Sequence, residues 1–291
     1  MKRKIIFMPM SYRYYRPSFF RGFRFFPSAI KYFIIANVVV YLLLMFFGLN
    51  FRISGVPLYL YVYKFFALNP VGDGFKLWQL ITYMFIHDPK GIFHILFNML
   101  MLWMFGTEIE NMWGTKRFLV YYFVSGIGAG ITHLIFAPLF GQIGPVVGAS
   151  GAIYGVMIAF AVMFPDRYIF LYFLIPIPAR IFVAILVFFD LVMGVFGSDG
   201  IAHFAHLGGA IVGFVYIKLM HAGFDLSDFI SRIKFPKFKT KKQKRKYLLV
   251  DDEIITQEQI DAILDKISQY GYDSLTEREK KILYEASKKL R

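Results

Sequence analysis

Three polar clusters interrupt otherwise apolar stretches: Gly148-Ala149-Ser150-Gly151, Ala205-His206-Leu207-Gly208-Gly209, and His94 with Asn98 four residues later. A serine hydroxyl beside an imidazole suffices for acyl transfer. The imidazole takes the hydroxyl proton during attack on a carbonyl and returns it to the leaving amine. His94 and Asn98 share one helical face at a spacing of four. With the Ser150 N–H at a helix start, they could donate hydrogen bonds to the oxyanion of a tetrahedral intermediate. Taken singly each cluster is weak, because small residues recur wherever membrane helices pack closely and a lone His or Asn can simply bond to a neighbouring helix. Polar groups inside apolar spans are costly, so three clusters together point to function.

The elements that must position them are membrane helices. Hydrophobic residues make up 57% of the 291 positions and aromatic residues 20%, more apolar side chain than a soluble domain of this length hides. Six segments, roughly 29–49, 91–109, 117–138, 150–165, 181–197 and 202–221, come near the length that crosses ~30 Å of hydrocarbon, the fourth being short. Ile30 to Leu49 is long enough to span and is read as a retained first helix, not a cleaved leader. The segment 50–90 is aromatic but broken by Gly55, Pro57, Pro70, Gly72 and Gly74, which predicts a partly membrane-embedded external loop.

Charge gives the orientation. Residues 1–27 carry Lys2, Arg3, Lys4, Arg13, Arg16, Arg21 and Arg24 without an acidic residue, and a second basic run extends from Arg232 to Lys246. The positive-inside rule places both termini in the cytoplasm. Spans two, four and six then start from the external side, with His94, Ser150 and His206 each within about two turns of those starts. Gly151 with Gly155, and Gly209 with Gly213, give close-approach faces beside Ser150 and His206. Tyr154, four residues after Ser150, could pack on the imidazole. The net charge of +14 sits at the chain ends and flanks apolar blocks, so nucleic acid is not the expected partner. With no cysteine in the chain, a disulfide framework, a thiol nucleophile and a thiolate metal site are excluded.

In their order and spacing, His94-Ile95-Leu96-Phe97-Asn98, Gly148-Ala149-Ser150-Gly151 with Tyr154, and Ala205-His206-Leu207-Gly208-Gly209 resemble the rhomboid family of intramembrane serine proteases. The resemblance runs from about Trp78 to Gly213 and includes Glu110 and Gly114. It implies an all-α polytopic membrane protein with a six-transmembrane-helix bundle, Ser150 as nucleophile, His206 as general base, and an oxyanion hole from Ser150 N–H, His94 and Asn98. Gly148, Gly151, Gly209, Tyr154 and His203 are the expected supporting residues. A water-filled cavity open to the outside and a lateral gate near span five and the 50–90 loop are also implied. The substrates would be transmembrane segments of other proteins, cut next to small residues. Gln79 follows Trp78 where many members carry Arg, a departure that bears on loop anchoring.

The resulting organisation is a basic N-terminal segment 1–27, a protease domain 28–221, a basic linker 222–250 and a small cytoplasmic helical hairpin 251–291. Capping boxes Thr256…Gln259 and Thr276…Glu279 open the hairpin's two helices on either side of Gly271. Ile260, Ile263, Leu264 and Ile267 are expected on one face of the first. The expected location is the plasma (bacterial inner) membrane, with the bilayer and transmembrane proteins as partners and no cofactor. No metal is expected, because no His-Glu-x-x-His set is present. The repeat symmetry of a transporter is absent as well. The alternative is a catalytically inactive rhomboid-like protein that binds or escorts membrane helices.

Two ambiguities remain at this level. His203 lies three residues before His206, and spacing does not choose between them as base; the family motif favours His206. Asp190 in span five could reach a similar depth, which makes a Ser–His–Asp triad conceivable. The family runs without that carboxylate, so a structural or gating role is the expectation.

Overall fold

In hydrocarbon every backbone N–H and C=O must be satisfied within the chain; a helix does this locally, so long apolar runs become helices. The computed structural model follows this pattern over the residues it describes: 24–171, 174–197, 200–227, 248–250, 253–255 and 257–289. The basic positions 2–21 and 232–246, and the first capping box at Thr256, lie outside the described residues. Helix α1 is Ser28–Leu43, continued by a wider π turn to Gly48. Short helices α2 (Leu58–Phe66) and α3 (Gln79–Thr82) precede α4 (Ile92–Trp113), α5 (Thr115–Phe136), α6 (Ser150–Met163), α7 (Ala179–Phe196) and α8 (His203–His221).

Among the described residues five helices are long and apolar enough to cross a membrane: Ser28–Gly48, Ile92–Trp113, Thr115–Phe140, Ala179–Phe196 and His203–His221. The expected fourth span, α6, has 14 residues. At 1.5 Å per residue it rises only about 21 Å. It packs against α4, α5, α7 and α8, with Ala152, Val156 and Ala159 fully buried. A helix that is apolar all round and enclosed is a core helix. Lipid-suited side chains lie elsewhere, on exposed Phe46, Phe97, Phe188, Phe189 and Ile211.

The described residues are mostly helical, in line with a polytopic helical bundle, with short strands added. Among the described residues three two-stranded antiparallel ribbons are present: β1 (Arg52–Ile53) with β2 (Val56–Pro57), β3 (Tyr168–Leu171) with β4 (Ile175–Pro178), and β5 (Leu248–Val250) with β6 (Glu253–Ile255). In β3–β4, aromatic and β-branched residues pair from Tyr168↔Pro178 to Leu171↔Ile175. Segments this short carry no resolvable period, and their composition favours a pleated ladder.

Between α1 and α4, the 50–90 segment contains no long helix. Buried Gln79 ties it together: its Oε1 accepts from the N–H groups of Asn69 (3.2 Å) and Lys76 (3.1 Å), and its Nε2 donates to Lys64 O and Phe65 O, both at 3.3 Å. Trp78 adds a bond from Nε1 to Phe65 O at 2.8 Å. An uncharged amide with both donors and acceptors meets the mixed polarity of this loop.

Glu110 is buried in the last turn of α4, and its two carboxylate oxygens accept the N–H groups of Ala29 and Ile30, each at 2.9 Å. Thr115 Oγ1 donates to it at 2.6 Å. A carboxylate on the first N–H groups of a helix satisfies donors that have no intrahelical partner and complements the helix dipole. Glu110→Gln turns one acceptor into a donor facing those N–H groups. It is expected to cost about 1–3 kcal/mol, read as a lowered midpoint of thermal unfolding in detergent.

The chain divides into two units, Met1–Ile233 and Lys234–Arg291. In the second, α9 (Gln257–Tyr270) and α10 (Glu277–Lys289) enclose Ile263, Leu275 and Ile282, with Ile260 and Ile267 against them. Leu264 does not join that face; it is 49% exposed, one residue of rotation away from Ile263. The second capping box is formed: Thr276 N–H donates to Glu279 Oε2 at 2.7 Å and Glu279 N–H to Thr276 Oγ1 at 3.3 Å. Lys266 Nζ donates to both Glu279 oxygens, at 3.0 and 2.9 Å. These hydrogen bonds, Lys266 foremost, lower the Glu279 pKa from its ordinary value to about 2. A depressed carboxylate stabilises the folded unit above its unfolded pKa, and that contribution is lost as pH falls through the folded value. The α9–α10 unit is therefore expected to lose stability progressively below the ordinary glutamate range, down to about pH 2. A Glu279 carboxyl resonance titrating at the ordinary glutamate value would contradict this.

Candidate active site

Ser150 is the first residue of α6, so its N–H belongs to the unbonded donors of a helix start. The approach to it is pinned from behind. Leu68 and Val146 exchange both backbone hydrogen bonds at 2.9 Å, and Gly148 N–H donates to Tyr83 O at 3.0 Å. Gly148 has φ +124°, a conformation side chains disfavour, and a Cβ there would lie 2.8 Å from His94 Nε2. Glycine is thus required both by the turn and by the imidazole beside it.

Glycines also set the distance between α6 and α8. A Cβ on Gly209 would meet Gly151 O at 1.8 Å, and one on Gly213 would meet Gly155 Cα at 2.8 Å. The two backbones touch, which places the start of α6 beside the first turns of α8. There His206 Nε2 lies 2.8 Å from Ser150 Oγ, across 56 residues of chain. The Tyr154 ring stacks on the His206 imidazole with centroids 4.5 Å apart and planes within 7°. The His206 side chain keeps only 12% of its surface exposed.

The other sequence-predicted residues fall nearby. His94 lies against Gly148, and its ring is met edge-on at 5.0 Å by fully buried His87. Asn98 Nδ2 donates to His94 O at 2.7 Å, back into its own helix. His203 does not reach Ser150 but bonds Asp190: its Nδ1 is 2.6 Å from Asp190 Oδ1. The same oxygen is 2.8 Å from His206 Nδ1. Sequence reasoning left this contact open, since the signal, one carboxylate in an apolar span, carries no helix rotation. Asp190, His203 and His206 offer ligand atoms within 4.8 Å of one another, close enough to consider a metal ion. Ligands about a tetrahedral zinc lie about 3.3 Å apart, whereas O–N separations of 2.6 and 2.8 Å are those of a shared proton.

A model of the rhomboid domain matches residues 74–223, more than half of the chain. The chain belongs to the rhomboid family. Residues 252–289 match a second model, a family of unknown function, DUF6576. The chain is 38% identical over 138 residues to Rhomboid protease GluP of Bacillus subtilis, a match covering 47% of this chain and 25% of that protein. It is 35% identical over 127 residues to Rhomboid protein 1, mitochondrial, of Saccharomyces cerevisiae, covering 42% and 36%. With Presenilin-associated rhomboid-like protein A, mitochondrial, of Danio rerio it shares 30% over 163 residues, covering 55% and 42%. The chain thus spans less than half the length of each of these relatives. Rhomboid membership and the long apolar helices together make it a multi-pass membrane protein.

Proposed function

We propose that this chain is an intramembrane serine endopeptidase that hydrolyses peptide bonds in or near transmembrane segments of other membrane proteins. The observation that carries the reading is the 2.8 Å contact between Ser150 Oγ and His206 Nε2 inside an apolar helix bundle. His206 removes the Ser150 proton as Oγ attacks the carbonyl, then delivers it to the leaving amine; water, activated by the same imidazole, releases the acyl group. The oxyanion is received by Ser150 N–H with His94 and Asn98, donors of a type worth roughly 2.7–4 kcal/mol each. Tyr154 holds the ring of the base, and Gly148, Gly151 and Gly209 give the close approach. Hydrolysis at this depth requires water and an unwound substrate, since a helical peptide bond is shielded.

In this reading α6 is the short fourth of six membrane-crossing segments, residues 28–221 are the protease domain, and 222–250 and 251–291 are a cytoplasmic linker and helical hairpin. Charge asymmetry supports cytoplasmic termini, and the plasma (bacterial inner) membrane is the proposed location. The test is cleavage of a model transmembrane substrate by the purified chain in liposomes. Wild type is expected to cut and Ser150→Ala to be inert. A wild type as inert as Ser150→Ala across several substrates would favour a helix-binding, catalytically inactive member.

A further inference from the structure

Asp190 of α7 is buried, yet every neighbour with which it bonds is polar. One oxygen, Oδ1, accepts from His203 Nδ1 at 2.6 Å and from His206 Nδ1 at 2.8 Å. An ionised carboxylate only accepts hydrogen bonds, so both imidazoles present Nδ1–H to it. A neutral His206 with its proton on Nδ1 has its lone pair on Nε2, the nitrogen 2.8 Å from Ser150 Oγ. The carboxylate thus selects the one tautomer that can act as a base toward Ser150.

We propose that Asp190 is a positioning residue of this site: it fixes the His206 tautomer and ring, and its charge stabilises the imidazolium formed when Ser150 Oγ gives up its proton, making the pair a Ser150–His206–Asp190 relay. The proposal rests on the reading of Ser150 as nucleophile. His203 acts through Asp190, its own hydrogen bond holding the carboxylate rotamer. A charged side chain inside an apolar span is costly, and one that pairs within the bundle points to function. The arrangement differs from the structural or gating role expected from the sequence, because α7 turns Asp190 toward α8.

The titratable groups against the His206 ring are Asp190 from α7, Tyr154 from α6 and, with ring centroids 6.2 Å apart, His203 on α8 itself. The experiment is the rate at which the full chain in detergent reacts with a fluorophosphonate probe. Ser150 Oγ attacks phosphorus, the P–F bond breaks with loss of fluoride, and the proton passes to His206. Asp190→Asn is expected to slow labelling about ten-fold or more and to move the His206 ring proton away from Nδ1 in the 15N-histidine spectrum. His203→Ala is expected to slow it less, and the double variant no more than Asp190→Asn alone. An Asp190→Asn chain that labels at the wild-type rate with an unchanged His206 tautomer overturns the proposal while leaving Ser150 and His206 in place. A wild type that never labels overturns the nucleophile reading and this one with it. Should Asp190→Asn not fold, the wild-type 15N-histidine spectrum decides: a His206 protonated on Nδ1 supports the proposal, and one protonated on Nε2 refutes it.

Discussion

Replacing Ser150 or His206 by Ala, singly or together, is expected to reduce cleavage to one common residual level, about 10⁴-fold or more below wild type. Residues that act as one unit are not additive: without the nucleophile the base has no proton to take, and without the base the hydroxyl remains a weak nucleophile. Ser150→Ala removes a single hydroxyl from the start of α6, so unfolding should shift by no more than about 1 kcal/mol. Initial rates on a model transmembrane substrate, paired with thermal unfolding of each variant, separate chemistry from folding. If His206→Ala retained most of the activity, the base would have to be sought elsewhere. Losses that multiplied in the double variant would mean that the two residues act independently.

Gly209→Ala is expected to have the next largest effect although it touches no reacting atom. The added methyl carbon would sit 1.8 Å from Gly151 O, a backbone atom with no rotamer to change, so α8 must move away from α6. Overpacking of this kind costs typically 1–3 kcal/mol and sometimes more. The same displacement opens the Ser150–His206 contact, and a shift of about 1 Å at a reacting pair can cost 10²-fold in rate. The expected result is therefore a lowered unfolding midpoint together with an activity loss of about 100-fold or more. Gly144→Ala is the control, since a Cβ there meets nothing within 4 Å. Wild-type activity in Gly209→Ala would mean that the two helices have slack which their backbone contact does not suggest.

Residue type and spacing determine much of this protein. Long apolar runs require helices because hydrocarbon offers the backbone no other partner. The Gly151/Gly155 and Gly209/Gly213 faces, together with the serine and histidine that adjoin them, were legible because helical period and helix rise assign a face and a depth to each residue. The same rules faltered where the period was short or the rotation free. The β3–β4 ribbon is too brief to show alternation, and Leu264 falls off the face shared by Ile260, Ile263 and Ile267. Asp190 marks the boundary most clearly. The sequence by itself fixes that a carboxylate lies in an apolar helix at about the depth of His206, because rise per residue is constant. Only the tertiary structure decides that α7 is rotated so that one oxygen of Asp190 receives both His203 and His206. Rotation about a helix axis is set by packing against neighbours, and no local spacing encodes it.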